Sequence, residues 1–258
     1  VIRLRKLGCT KVQLGIQFLD NQVLKLNQRG HSVEDNRRAI KLLRQAGFKI
    51  HAHWMPNLYG SNPDKDKQDY TKLFQSADFR PDELKIYPCS LIENTELMEK
   101  YNHNKWQPYT PEELTEVLSF CLTNTPQYCR LTRIVRDIPS TEIVSGNLKT
   151  NFREYVEAKI KKQGKILNDI RAREIKQQNF NPDQIELDKL SYQTNLSQEV
   201  FLQYIIPAKK KYLTNRLLGF LRLSLPSVDN WQNELSGAEI ISEIHVYGPA
   251  LPIGEKSK

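Results

Sequence analysis

Residues Ser32–Met55 read SVEDNRRAIKLLRQAGFKIHAHWM, and this stretch decides the fold class. Ser32 with Asp35 three positions on marks a helix start, Ala39, Ile40 and Leu43 recur at helical spacing, and Gly47 marks the stop. Lys49–Met55 then reads as a strand, so helix runs directly into strand. Working outward, the short apolar run Lys11–Gln17 (KVQLGIQ) is a strand, Asp20–Leu26 is helical, and Arg29-Gly30-His31 turns the chain. Downstream, a polar turn at Gly60–Asp64 leads into a helix ending near Phe74 and a strand at Glu83–Tyr87. Thr110-Pro111-Glu112-Glu113 opens a further helix through Leu122, before a strand at Arg130–Val135. The β-α-β-α-β-α-β order predicts parallel strands with right-handed crossovers, hence an α/β barrel or a doubly wound sheet. Four strands do not close a barrel, and Val1–Cys9 reads as a helix end entering a strand, so the chain is expected to begin mid-fold.

The texture changes after this segment. Lys149–Lys176 carries nine Lys/Arg against four Asp/Glu at helical spacing, a basic connector. Three strand candidates follow, Glu199–Ile206, Arg216–Leu225 and Glu239–Tyr247, which suggest an antiparallel sheet. The predicted organisation is a first α/β unit at 1–148, a basic linker at 149–190 and a second unit at 191–258. At 258 residues and 39% hydrophobic composition the chain can bury two modest cores. No window approaches a membrane span, and the opening residues, with Arg3, Arg5 and Lys6, lack the apolar core of a secretory signal, so a cytoplasmic protein is expected.

Chemistry in parallel α/β folds sits at the carboxyl ends of strands. Those ends are Gly15–Gln17, His53–Tyr59, Tyr87–Ser90 and Arg136–Ser140; they are unusually polar, although such residues also serve simply to turn a chain. His51 and His53 alternate on one strand and share a face, but no third ligand follows at metal spacing, so a polar wall or a satisfied buried histidine competes with a metal pair. Cys89 ends a strand without an assignable base, which fits a packing thiol as well as a nucleophile. Cys9, Cys89, Cys121 and Cys129 are dispersed, without a Cys-x-x-Cys pair, and no metal site is read from them. The net charge of +8 permits a polyanionic partner. If the connector's charges share a face, they would bind RNA by counterion release; otherwise the segment is a solvated helix. The RNA candidates are Arg130, Arg133, Arg136, Lys149, Arg153, Lys161, Lys162, Arg171 and Arg173.

Taken together, KVQLGIQFLDNQVLKLNQRGH, GFKIHAHWMPNLYGS, DELKIYPCSLIENTEL, RIVRDIPSTEIVSGNLKTNFRE and EIHVYG resemble the family of Elongator catalytic subunits, in order and from about Lys6 to Gly254. The resemblance implies a partial radical-SAM (β/α) barrel, a basic linker and the first half of an acetyltransferase-like domain. It implies an enzyme that uses S-adenosylmethionine, a 4Fe-4S cluster and acetyl-CoA to attach a carboxymethyl-type group to the wobble uridine of tRNA. Gln17, Arg29 and His53 fall where S-adenosylmethionine contacts are expected, His53 standing where some relatives have an acidic residue. The cluster cysteines and the acetyl-CoA loop of that family are not matched here, so this chain alone is expected to be an inactive fragment. Leu167, Asp169 and Ala172 stand where some members have linker zinc cysteines, so no linker zinc is expected. Implied partners are tRNA and either other Elongator-type subunits or a second copy. The rival reading is a catalytically inactive RNA-binding or assembly module; a third is an unrelated barrel enzyme that relies on Cys89 or His53.

Overall fold

The predicted capping box at Ser32 forms: the Asp35 N–H donates to Ser32 Oγ at 3.1 Å and the Ser32 N–H to Asp35 Oδ2 at 2.8 Å. In this computed structural model, which describes residues 1–134, 142–146, 151–176, 178–210, 213–226, 235–248 and 254, the chain opens with α1 (Ile2–Lys6), β1 (Lys11–Gln17) and α2 (Asn21–Leu26). The capped helix is α3 (Val33–Gln45), and Gly47 at φ +69° turns it into β2 (Lys49–Trp54). Next come α4 (Pro63–Gln75), β3 (Glu83–Ile86), the short β4 (Leu91–Ile92) and α5 (Glu96–Asn102). A second capping box, Thr110 with Glu113, starts α6 (Pro111–Asn124), followed by β5 (Arg130–Ile134) and β6 (Ile143–Ser145).

β1, β2, β3 and β5 form a parallel sheet in that order, as the alternation predicts. Its two faces differ. Ile16, Ile50, Ala52, Trp54, Leu84, Ile86, Leu131 and Ile134 point to the helices and are buried, packing with residues such as Leu43, Leu73 and Leu118. Each leucine and isoleucine among them gains roughly 1.5–3 kcal/mol from leaving water. The intervening residues are polar: Lys11, Gln13 and Gln17, then Lys49, His51 and His53, then Glu83 and Lys85, then Arg130 and Thr132. Parallel strands covered on both faces read as continuous apolar runs, whereas these alternate, so the sheet is a wall with one polar face.

The basic connector folds as α7 (Phe152–Lys162) and α8 (Ile170–Arg173). Phe152, Val156 and Ile160, four residues apart, are its buried stripe. The second sheet is antiparallel with order β10-β9-β8-β7, from β7 (Glu186–Gln193), β8 (Ser197–Ile206), β9 (Arg216–Pro226) and β10 (Ile240–Val246). The sequence reading counts only the last three. β7 begins inside the segment assigned to the linker, because ELDKLSYQ, an edge strand with one exposed face, has too few apolar residues to stand out.

The amino ends of the parallel strands meet this second sheet through buried charges. Lys49 Nζ lies 2.6 Å from Glu83 and 2.5 Å from Glu243 of β10. Arg222 of β9 is fully buried and donates to Tyr192 Oη (2.9 Å) and to the Tyr128 carbonyl (2.8 Å), with Asp82 at 3.3 Å. Burial opposes its charge, but Tyr192, Asp82, Glu243 and Glu199 more than offset that. Arg130 bridges Glu174 and the Tyr247 hydroxyl, the latter at 2.8 Å.

Candidate functional site at the carboxyl ends of the parallel strands

Gln17 ends β1 in the left-handed region, at φ +65°, and this turns its buried side chain back over Gly15. A Cβ on Gly15 would lie 2.7 Å from Gln17 Nε2, so the glycine leaves the space the amide occupies. Arg29, after α2, donates from Nη2 to Gln17 Oε1 at 2.7 Å and lies 3.4 Å from Met55 Sδ. The Met55 N–H donates to the Gln17 carbonyl at 3.0 Å, which joins the ends of β1 and β2. The Arg29 guanidinium is exposed and has no carboxylate partner among the described residues.

Two buried carboxylates on α4, absent from the sequence reading, hold the loops around this junction. Asp69 accepts from the Leu19 N–H (2.9 Å) and from Trp54 Nε1 (2.8 Å), and burial pushes its pKa up to about 7. Asp66 accepts from the Asn57 N–H (2.8 Å), Ser61 Oγ (2.5 Å) and Tyr109 Oη (2.9 Å), with burial raising it to about 6. Asn57, at φ +67°, also ties the third strand end by donating to the Cys89 carbonyl at 3.3 Å. Their only sequence signal is an Asp-x-x-Asp spacing that most solvated helices share.

His53 does not join the Gln17–Arg29 pair. Its Nε2 donates to Gln13 Oε1 at 3.1 Å, and its ring meets Tyr87 edge-on at 5.5 Å. Lys85 Nζ reaches the same Gln13 oxygen at 3.0 Å. Burial, then Lys85, lower the His53 pKa. His51 shares that face as predicted, bonds Thr132 Oγ1 at 2.9 Å, and burial depresses it to about 4 despite Glu83 at 3.2 Å.

Residues 1–71 match the Radical SAM superfamily and residues 81–162 the Radical SAM C-terminal domain. The chain belongs to the radical SAM superfamily. It is 37% identical over 249 residues to a tRNA uridine(34) acetyltransferase of Methanocaldococcus infernus, covering 94% of this chain and 46% of that protein. It is 34% identical to human Elongator complex protein 3 over 254 residues, 96% of this chain and 46% of that one. The solved structure of M. infernus Elp3 with an N-terminal deletion superposes with a TM-score of 0.88 at 37% identity, covering 97% of this chain and 59% of that chain. The resemblance to Elongator catalytic subunits therefore holds, and the chain spans about half the length of the curated relatives it matches.

The cysteines of this radical SAM chain do not fit a cluster. Cys121 and Cys129 are fully buried with raised pKa values, Cys89 is pushed up to about 11 by burial, and Cys9 donates to the Lys11 carbonyl. Among the described residues no three His, Cys, Asp or Glu converge on one point, and no helix is long and apolar enough to cross a membrane. Asp169, one of the three linker positions named above, is buried and caps α8.

The basic residues divide sharply. Arg173 is 1% exposed and donates to the Asn168 and Gln127 carbonyls and to Gln203 Oε1, which removes it from any RNA surface. Arg153 and Arg171 donate to the Leu131 and Thr132 carbonyls (3.0 and 2.6 Å), capping the outer edge of β5, while Arg130 belongs to the interface with the second sheet. Arg171 remains exposed, as are Arg133, Lys161 and Lys162. Arg136 and Lys149, and with them the fourth strand end Arg136–Ser140, lie outside the described residues.

Proposed function

We propose that this chain is part of an enzyme that modifies the wobble uridine of tRNA by radical S-adenosylmethionine chemistry. The observation that carries this reading is the Gln17–Arg29–Met55 junction at the carboxyl ends of a parallel sheet with one open polar face. In this reading the sheet is a partial (β/α) barrel wall and the antiparallel sheet is half of an acetyltransferase-like domain. Arg29 keeps guanidinium donors beyond the one on Gln17, and it has no carboxylate neighbour, so it suits the carboxylate of an amino-acid moiety. Gln17 fixes the guanidinium plane and Asp66 and Asp69 hold the surrounding loops. S-adenosylmethionine, cleaved with an electron from a 4Fe-4S cluster, would supply the radical that activates acetyl-CoA; the Gln17–Arg29 pair fits the first group, and the dispersed cysteines do not fit the second. The tRNA would be held by the exposed members of the basic set, Arg133, Lys161, Lys162 and Arg171, and other Elongator-type subunits or a second copy are the proposed protein partners.

The test is calorimetric titration of S-adenosylmethionine and, separately, of tRNA across a salt series. Binding of S-adenosylmethionine that Arg29→Ala weakens, with tRNA binding that falls steeply with salt, supports the reading. tRNA binding with no affinity for S-adenosylmethionine would leave the chain a binding module, and loss of both from folded protein would overturn the reading.

A further inference from the structure

The polar face of the parallel sheet is neutralised at one end and cationic at the other. Toward the amino ends, Lys11 and Lys49 lie 3.0 and 2.6 Å from Glu83, and Lys49 also reaches Glu243. Burial alone would raise the Glu83 pKa, but Lys49, then Lys11 and His51, bring it down to about 2, so it is a charged partner throughout the neutral range. One register row further along, His53 stands beside Lys85 and Lys85 beside Arg133. No carboxylate lies within ion-pair distance of His53 or Lys85 among the described residues. Both instead donate to one neutral oxygen, Gln13 Oε1.

The Lys85 ammonium and the His53 ring N–H converge on one amide oxygen, and such a pair of donors is an anion site with a weak acceptor in place of the anion. A carboxylate or phosphate oxygen adds an opposite charge to the hydrogen bond from Lys85, where the amide offers only a dipole. Gln13 is exposed at the rim of the face, with His53 and Lys85 half-buried beside it, so its amide can swing away without opening a core. Among the described residues the groups facing His53 are Lys85, His51, Tyr87 and Gln13, and none is a carboxylate. The openness suits a polymer lying along the wall better than a small ligand enclosed in a pocket.

We propose that Lys85 and His53, with Gln13 as the displaceable acceptor, bind a phosphate of the RNA backbone next to the nucleotide presented to Gln17 and Arg29. This assignment rests on the RNA reading above and takes it further, because it moves His53 from the cofactor to the substrate. It also adds Lys85, which charge clustering along the sequence does not single out. Phosphate binding would favour protonated His53, since the anion offsets the repulsion from Lys85.

The experiment follows the His53 ring resonance by NMR in the 258-residue chain, assigned with His53→Gln, through pH titrations with an anticodon stem-loop RNA, coenzyme A or S-adenosylmethionine. The expected result is a His53 midpoint raised by RNA and not by either small molecule. In parallel, Lys85→Met should weaken tRNA binding roughly five- to tenfold and reduce the salt slope by about 0.9, with Lys85→Arg restoring the slope. A His53 midpoint moved by coenzyme A or S-adenosylmethionine instead of RNA would overturn the assignment to RNA. An unchanged slope in folded Lys85→Met would overturn the site while tRNA binding itself stands. Absence of saturable tRNA binding by the unaltered chain would overturn both readings together.

Discussion

The two ends of one sheet face use similar residues for opposite purposes. At the amino ends, Lys49, Arg222 and Arg130 meet Asp82, Glu83, Glu243 and Glu174 in a buried network that binds the parallel sheet to the antiparallel one. At the carboxyl ends, Arg29, Lys85 and His53 meet only neutral acceptors among the described residues, Gln17 and Gln13. A buried cation is tolerable only with its counter-charge, so the first end is structural; exposed Arg29 and half-buried Lys85 still reach water, and so remain available to a ligand.

The largest effect tests the structural end. Arg222→Met strands buried Asp82 without its cation, while Glu243 keeps Lys49, and should cost about 3–5 kcal/mol, read as a lowered urea midpoint. Adding Asp82→Asn in the same chain should recover part of that loss, and a single variant with an unmoved midpoint would break the comparison. The next test is acid. His51 titrates at about 4 in the folded chain and about 6.5 unfolded, so the unfolded state binds the extra proton between those values. Its contribution is therefore intact above about pH 6.5 and is lost as pH falls toward 4, by up to about 3 kcal/mol. Comparing the unaltered chain with His51→Gln over that window should show the difference, and parallel curves would exclude a neutral buried His51.

The smaller tests fall on the ligand end. Gly15→Ala puts a methyl against the Gln17 amide, a flexible group, so stability should change by under about 0.5 kcal/mol. The displaced amide releases Arg29, and S-adenosylmethionine affinity should fall by roughly fivefold, the worth of about 1 kcal/mol of hydrogen bonding, by calorimetry. Smallest of all, Lys85→Met should leave the urea midpoint within about 0.5 kcal/mol, because among the described residues its side chain bonds only an exposed amide. A large loss of stability there would place Lys85 with the structural charges.

Much of the first unit was legible in the sequence. The capping boxes at Ser32 and Thr110, the stop at Gly47 and the apolar alternation of four strands are local patterns, and each element lies within a residue or two of its expected place. β7 was not legible, because a strand with one wet face has half the usual hydrophobic signal. The site was partly legible: Gln17 and Arg29 meet, His53 stands apart, and Asp66 and Asp69 were invisible because buried and solvated carboxylates look alike in a sequence.

The sequence by itself determined the parallel α/β unit, its one polar face and the basic character of the connector, since hydrogen-bonded periodicity and side-chain alternation are set by neighbours along the chain. Only the tertiary structure decided what the charges do. Lys49 meets Glu243 across 194 positions, Arg173 vanishes into the interface, and Lys85 is left facing Gln13. A salt bridge depends on distance and burial in three dimensions, and neither is a property of composition or local order.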